Sequence, residues 1–233
     1  MDTRRESQVR PRSARKAVAL PTAVIALMTV IGSATPARAE NQTPATASAT
    51  VEIAIPMGFL LYESKATRKR LEKSVVHTRM RWRTSDRLGE PLLIDPCATR
   101  KQTDKGRQAA RTITGRSVSW DGDYSEQVIV YRNETAARAA VKGLRSDLRR
   151  CANRNRHLYR VKDTRIGHEA FMVNMWKVAS IDGATVMRQG RTVAIYTSPS
   201  NSDGPDNPPR WRAVEYGGIE ARKMAKKLAG TPL

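Results

Sequence analysis

Cysteine is nearly absent from these 233 residues: there are two, with three histidines and 5% aromatics. Two cysteines exclude a four-Cys structural zinc site, a Cys-held iron–sulfur cluster and a disulfide-dense miniprotein. Three scattered histidines argue against a His-rich metal centre, and neither a metal nor a cofactor is expected. No G-x-S-x-G elbow and no G-x-x-x-x-G-K phosphate loop occurs. His168-Glu169 matches the start of a zinc motif, but position 172, where the second His would stand, is Met. Acidic residues are also in short supply, 22 against 42 Lys+Arg, for a net charge of +20. Hydrophobic residues make up 39% of the chain, low for a compact domain and too high for a wholly disordered one.

The first forty residues read as an address. Arg4, Arg5, Arg10, Arg12, Arg15 and Lys16 precede an apolar stretch from Ala17 to Ile31, and Ala37-Arg38-Ala39 follows. A basic start, a short apolar middle and a small-x-small end make residues 1–39 a secretory signal, with cleavage expected after Ala39. The alternative is a retained anchor, but the apolar stretch is short of the roughly 20 residues a span needs. Arg4-Arg5 hints at twin-arginine export; the distance to the apolar core favours general secretion. Removing the seven basic and two acidic residues of 1–39 leaves 35 and 20, so the exported chain keeps a charge of +15.

Export bears on the cysteines. Cys97 and Cys151 form an even pair in an oxidising compartment, where a disulfide is expected. It would close a loop of about 55 residues, for which loop entropy gives about 4 kcal/mol. Two unpaired thiols are the alternative; no base near either residue supports a catalytic cysteine.

Residues 40–50 are small and polar and read as a flexible leader, and 198–210, with four prolines, reads as a mobile loop. The rest of 51–233 reads as one α+β domain, a mostly antiparallel sheet of five or six strands packed with at least two helices. From 75 to 83 the chain alternates: Val76, Thr78, Met80 and Trp82 on one side, His77, Arg79, Arg81 and Arg83 on the other. That is a half-buried strand with a cationic outer row. Residues 126–132, EQVIVYR, read as a more buried strand. Asn133 then serves as N-cap of a helix with Glu134 in its first turn. Ala137, Ala140, Val141, Leu144, Leu148 and Cys151 share its apolar side; Arg138, Lys142, Arg145 and Arg149 share the other. A meander follows, with strands 170–181, 184–188 and 191–196 and turns at Asp182-Gly183 and Gln189-Gly190. Residues 218–229 form a last helix, with Ala221, Met224, Ala225 and Leu228 inward and Arg222, Lys223, Lys226 and Lys227 outward.

Three segments together resemble a known family: EQVIVYRNETAARAAVKGLRSDLRRCA (126–152), RIGHEAFMV (165–173) and VMRQGRTVAIY (186–196). They look like the extracellular sensor domain of mycobacterial PknH-type kinases, which also occurs alone in secreted proteins and lipoproteins of actinobacteria. IPMGFLL (55–61) is similar to the opening of that domain. The resemblance covers most of 51–229 and implies an α+β domain with a cleft, no known catalytic residues and no established ligand. The chain departs from the pattern in offering one disulfide where two are frequent, and His168 where an acid is common. No kinase or membrane-spanning segment accompanies the domain, so direct transmission of a signal is not expected.

The two cationic rows, Arg79, Arg81, Arg83 and Arg138, Lys142, Arg145, Arg149, are the candidate anion-binding residues, because aligned cations attract polyanions at long range and release counterions. The expectation is a secreted, envelope-associated, non-catalytic binding or sensor-like module, monomeric. Its partners would be anionic wall polymer or lipid headgroups, or a small ligand in a cleft, and not a specific nucleic-acid sequence. A solvated face that binds nothing is the plain alternative for the cations, and an exported structural protein the plain alternative for the whole chain. A secreted hydrolase is the alternative activity, drawing on His77, His157 or His168, or on a carboxylate pair among Glu126, Glu134 and Glu169.

Overall fold

The computed structural model describes residues 53–74, 79–94, 105–118, 123–154, 159–176, 181–200, 212–231 and 233. The signal segment 1–39, the leader 40–50, Cys97, His77 and His157 lie outside the described residues. After a 3-10 turn at Leu61–Glu63 come α1 (Lys65–Ser74), β1 (Met80–Ser85), β2 (Arg107–Ser117), β3 (Asp123–Tyr131), α2 (Glu134–Arg154), β4 (Tyr159–Thr164), β5 (Glu169–Trp176), β6 (Ile181–Gln189), β7 (Thr192–Ser200) and α3 (Arg212–Gly230). The domain is α+β. Seven strands form one sheet in the order β1-β2-β3-β7-β6-β5-β4, every neighbouring pair antiparallel. Strands β1 to β3 make one meander, α2 carries the chain to the far edge, and the β4–β7 meander walks back until β7 pairs with β3.

Both faces of the sheet are covered, which is why the central strands read as continuous apolar runs. Val128, Val130, Ala194, Tyr196 and Met187 face a core completed by Ala221, Met224 and Leu228 of α3 and by Ile55, Phe59, Leu60, Tyr62 and Leu71 from the N-terminal segment. Ile129, Tyr131, Val193, Ile195, Val186 and Phe171 face the opposite core, closed by Ala137, Ala140, Val141, Leu144 and Leu148 of α2 and by Ile94.

Helix α2 forms as its sequence dictates. Asn133 Oδ1 accepts the Ala136 amide at 2.8 Å, and all six residues of the expected apolar side are buried. On β1, Met80 is buried and Trp82 half-buried, while Arg79, Arg81 and Arg83 are exposed. Trp82 lies flat against Gly115, its partner on β2; a Cβ there would come within 2.7 Å of three ring carbons, so only glycine admits the indole.

Several expectations are corrected. Asp182-Gly183 is not a turn: both residues lie inside β6, Gly183 opposite Asn174 of β5 and Ser198 of β7. Strand β5 ends at Trp176, which pairs with Ile181 at the start of β6. The Gln189-Gly190 turn does form, with Gly190 at φ +57° joining β6 to β7. Residues 198–200 belong to β7 rather than to a loop; Pro199 is tolerated because the β3 partnership ends at Thr197. The remainder of that loop, 201–210, lies outside the described residues. The last helix begins at Arg212, six residues earlier than expected, and the sheet holds seven strands because β2 and β4 escaped notice.

Candidate functional site

Three features of the domain bear on function: the cations, a cleft at one end of the sheet, and a carboxylate inside the core.

The cations divide into two populations. Arg145 lies across the Phe171 ring, 5.1 Å from its centre, and meets Asp163 at 3.2 Å and Glu169 at 2.9 Å. Arg149 reaches the same Asp163 at 2.7 Å. Half of the helical row is therefore drawn toward β4 and β5 and neutralised there. Arg138 and Lys142 remain exposed and make no ion pair among the described residues, and the same holds for Arg79, Arg81 and Arg83. Because Met80 and Trp82 join the α3-side core, strand alternation sends Arg81 and Arg83 of β1 to the side that α2 covers, and Arg79 precedes them in the chain. Along that edge strand alternate side chains stand about 7 Å apart. On α3, Arg222, Lys223 and Lys226 are exposed, but Lys227 turns in to donate to the Phe59 carbonyl at 2.5 Å.

A cleft of about 510 Å³ opens where the start of α2, the β6–β7 turn and the end of α3 meet. Glu134, His168, Gln189 and Arg191 give it polar walls, and Leu228 and Leu233 an apolar one. His168 is committed to its surroundings: Nδ1 accepts the Gly190 amide at 3.3 Å and Nε2 stands 3.3 Å from the Gln189 amide nitrogen. Arg191 Nε donates to the Leu233 carbonyl at 2.7 Å. The three carboxylates considered for glycosidic chemistry are not brought together. Glu126 lies in the α3-side core, Glu134 in the cleft, and Glu169 on the α2 side with Arg145 and Arg188.

Glu126 entered the sequence reading only as one of three acids; its burial and its donors were not visible there. It is fully buried at the middle of the sheet. Oε2 accepts the Tyr62 amide at 2.7 Å; Oε1 accepts the Leu61 amide at 3.0 Å and the Tyr196 hydroxyl at 2.7 Å. Burial pushes its carboxyl up to about 7 despite those three donors, and the Glu220 carboxylate adds to the rise. Burial likewise raises the Tyr62 and Tyr196 phenols, with the Glu126 charge next in effect. Their rings meet edge to face at 5.7 Å. Glu220 itself is held by Arg70 at 2.5 Å and Lys223 at 3.3 Å.

A second polar lock lies beside it. Arg111 donates to Glu63 Oε1 through Nε at 3.0 Å and Nη2 at 2.5 Å, and to Asp86 through Nη1. For Glu63, burial acts to raise the carboxyl, but the Arg111 guanidinium and the Leu60 amide reverse it, leaving Glu63 below its ordinary value. The bond to Glu63 raises the Arg111 guanidinium.

Cys151 is buried on the inner side of the last turns of α2 and is not a free cysteine; its expected partner, Cys97, lies outside the described residues. No helix among the described residues is long and apolar enough to cross a membrane, and no three His, Cys, Asp or Glu among them gather as a metal site would require.

No family model and no curated protein matches the chain. Among solved structures it is similar to the extracellular domain of PknH from Mycobacterium tuberculosis, at 11% identity and a TM-score of 0.47, over 77% of this chain and 99% of that one. A likeness of that degree does not say what this chain binds.

Replacing Arg111 with Met removes the cation from a carboxylate that is itself largely buried. The expected loss is about 3 kcal/mol in urea unfolding, partly recovered when Glu63→Gln is added. Equal stability of Arg111→Met and the native chain would contradict this role.

Proposed function

We propose that this protein is an exported, non-catalytic binding module of the cell envelope, whose unpaired outer cations meet anionic wall polymer or lipid headgroups. The observation that carries the reading is the sorting of charge. Arg70, Arg111, Arg145, Arg149 and Arg188 each meet a carboxylate. Arg79, Arg81, Arg83, Arg138 and Lys142 are exposed without one among the described residues. Regularly spaced cations with no internal partner keep their full attraction for a polyanion. The cleft supplies a separate place for a small ligand, of a volume ordinary for such sites.

The hydrolase alternative is less well supported. His168 Nδ1 accepts the Gly190 amide, Nε2 stands against the Gln189 side chain, and the ring meets no hydroxyl or thiol among the described residues. Export through the 1–39 segment remains part of the proposal, as does a clasp between Cys97 and Cys151 that would tie the end of α2 to the chain before β2. Thiol titration of the native protein is expected to find no reactive group before reduction; two per chain would remove the clasp.

Vesicles containing anionic lipid, or isolated wall polymer, are expected to retain the protein at low salt and release it near 0.5 M, where screening falls to roughly 4–5 Å. Reversing Arg79, Arg81, Arg83, Arg138 and Lys142 to Glu is expected to abolish retention. Reversing Arg145 and Arg149, already engaged, should weaken it far less. Unchanged retention in the first variant would refute the assignment.

A further inference from the structure

We propose that Glu126 is a proton-operated latch for the N-terminal strap Ile55–Glu63, closed when the carboxyl is protonated and loosened when it is charged. The strap crosses the α3 side of the sheet, inserting Ile55, Phe59, Leu60 and Tyr62 into that core. Its main chain is held by groups from three other elements: Glu126 of β3 at the Leu61 and Tyr62 amides, Lys227 of α3 at the Phe59 carbonyl, and Arg68 of α1 at the Tyr62 carbonyl. Arg111 of β2 grips its last side chain, Glu63.

Among these groups Glu126 alone is an anion without a cation. The described groups that face it come from each packed element. The strap supplies Tyr62 and Glu63, the latter paired with Arg111 of β2 and through it with Asp86. Strand β3 supplies Tyr124, and β7 supplies Tyr196. Helix α3 supplies Glu220, which takes both Arg70 of α1 and Lys223. The described cations nearby are thus already engaged, Arg70 and Lys223 with Glu220 and Arg111 with Glu63 and Asp86, and the Glu220 carboxylate opposes the charge on Glu126.

A charged carboxylate in that position is stabilised by three hydrogen bonds and opposed by complete desolvation and by Glu220. A protonated one keeps acceptor oxygen for the strap amides and donates its own proton, for which the Tyr196 oxygen is in place. The direction of the carboxyl's displacement, upward to about 7, says that desolvation prevails. In the open strap, water reaches the carboxyl and its affinity for the proton returns to the ordinary value. Opening therefore becomes easier as pH rises through the interval between the two values and levels off above about 7. The device rests on no assumption about what the protein binds.

Amide hydrogen exchange on the full chain tests it. Between pH 5 and 8, after correction for intrinsic exchange, protection of the Leu61 and Tyr62 amides is expected to fall on the order of 100-fold relative to the β6–β7 ladder. Glu126→Gln is expected to lose that dependence on pH. Should that variant not fold, Tyr196→Phe removes one donor to the charged form, and the transition is expected to move to higher pH. A strap whose protection tracks the ladder at every pH would overturn the proposal. So would a Glu126 carboxyl carbon that titrates at the ordinary value, or an unshifted transition in Tyr196→Phe.

Discussion

The α3 side of this domain is organised around one carboxylate that has no counter-ion among the described residues. Glu126 holds two consecutive main-chain amides and a phenol, and by doing so it fixes where the N-terminal segment crosses the sheet. That placement decides the rest of the layer. Tyr62 goes between Tyr196 and Trp82, Trp82 rests on Gly115, and the indole nitrogen donates to Glu72 of α1 at 3.0 Å. An apolar residue at position 126 would leave the Leu61 and Tyr62 amides and the Tyr196 hydroxyl without this acceptor. A charged one brings a desolvation cost that the cell's pH can modulate.

The same economy of acids shapes the surface. With so few carboxylates available, the fold assigns some of the described ones to cations that lie on or near the core, Glu63 to Arg111 and Glu169 to Arg145 and Arg188. What is left over on β1 and on the outer side of α2 is positive and unpartnered among the described residues. Cationic edge strands also discourage sheet-to-sheet aggregation, so Arg81 and Arg83 guard the β1 edge whether or not a polyanion is present.

How far the sequence could be read depended on whether partners were local. Helix α2 was legible in its start and its two faces, because its apolar stripe, its Asn133 cap and its basic stripe all obey one period; its end was not, since it runs on to Arg154, three residues beyond Cys151. Strands β1, β3 and β7 were legible from alternation or from β-branched runs. Strand β2 was not. It buries Arg111 and Thr112 among apolar neighbours, and those polar residues are satisfied only by Glu63, Asp86 and Gln127, none of them near in sequence. Asp182-Gly183 misled for a related reason: a glycine inside a central strand looks like a turn until its neighbours on both sides are known. The row Arg138 to Arg149 was correctly placed on one side of a helix, yet periodicity could not show that Asp163 and Glu169 wait beneath its second half. Glu126 was visible only as one acid among several, since its donors come from a segment more than sixty residues away.

The dependence of unfolding free energy on pH is the most direct test of the buried, uncompensated carboxylate. With Glu126 raised to about 7 in the fold and ordinary when unfolded, the native state binds the extra proton in between, so stability is greatest at the acidic side of that window. Urea unfolding is expected to show a loss of about 2 kcal/mol on going from pH 5 to 7.5, absent in Glu126→Gln. A native chain whose stability is level or rising across that interval would contradict the account.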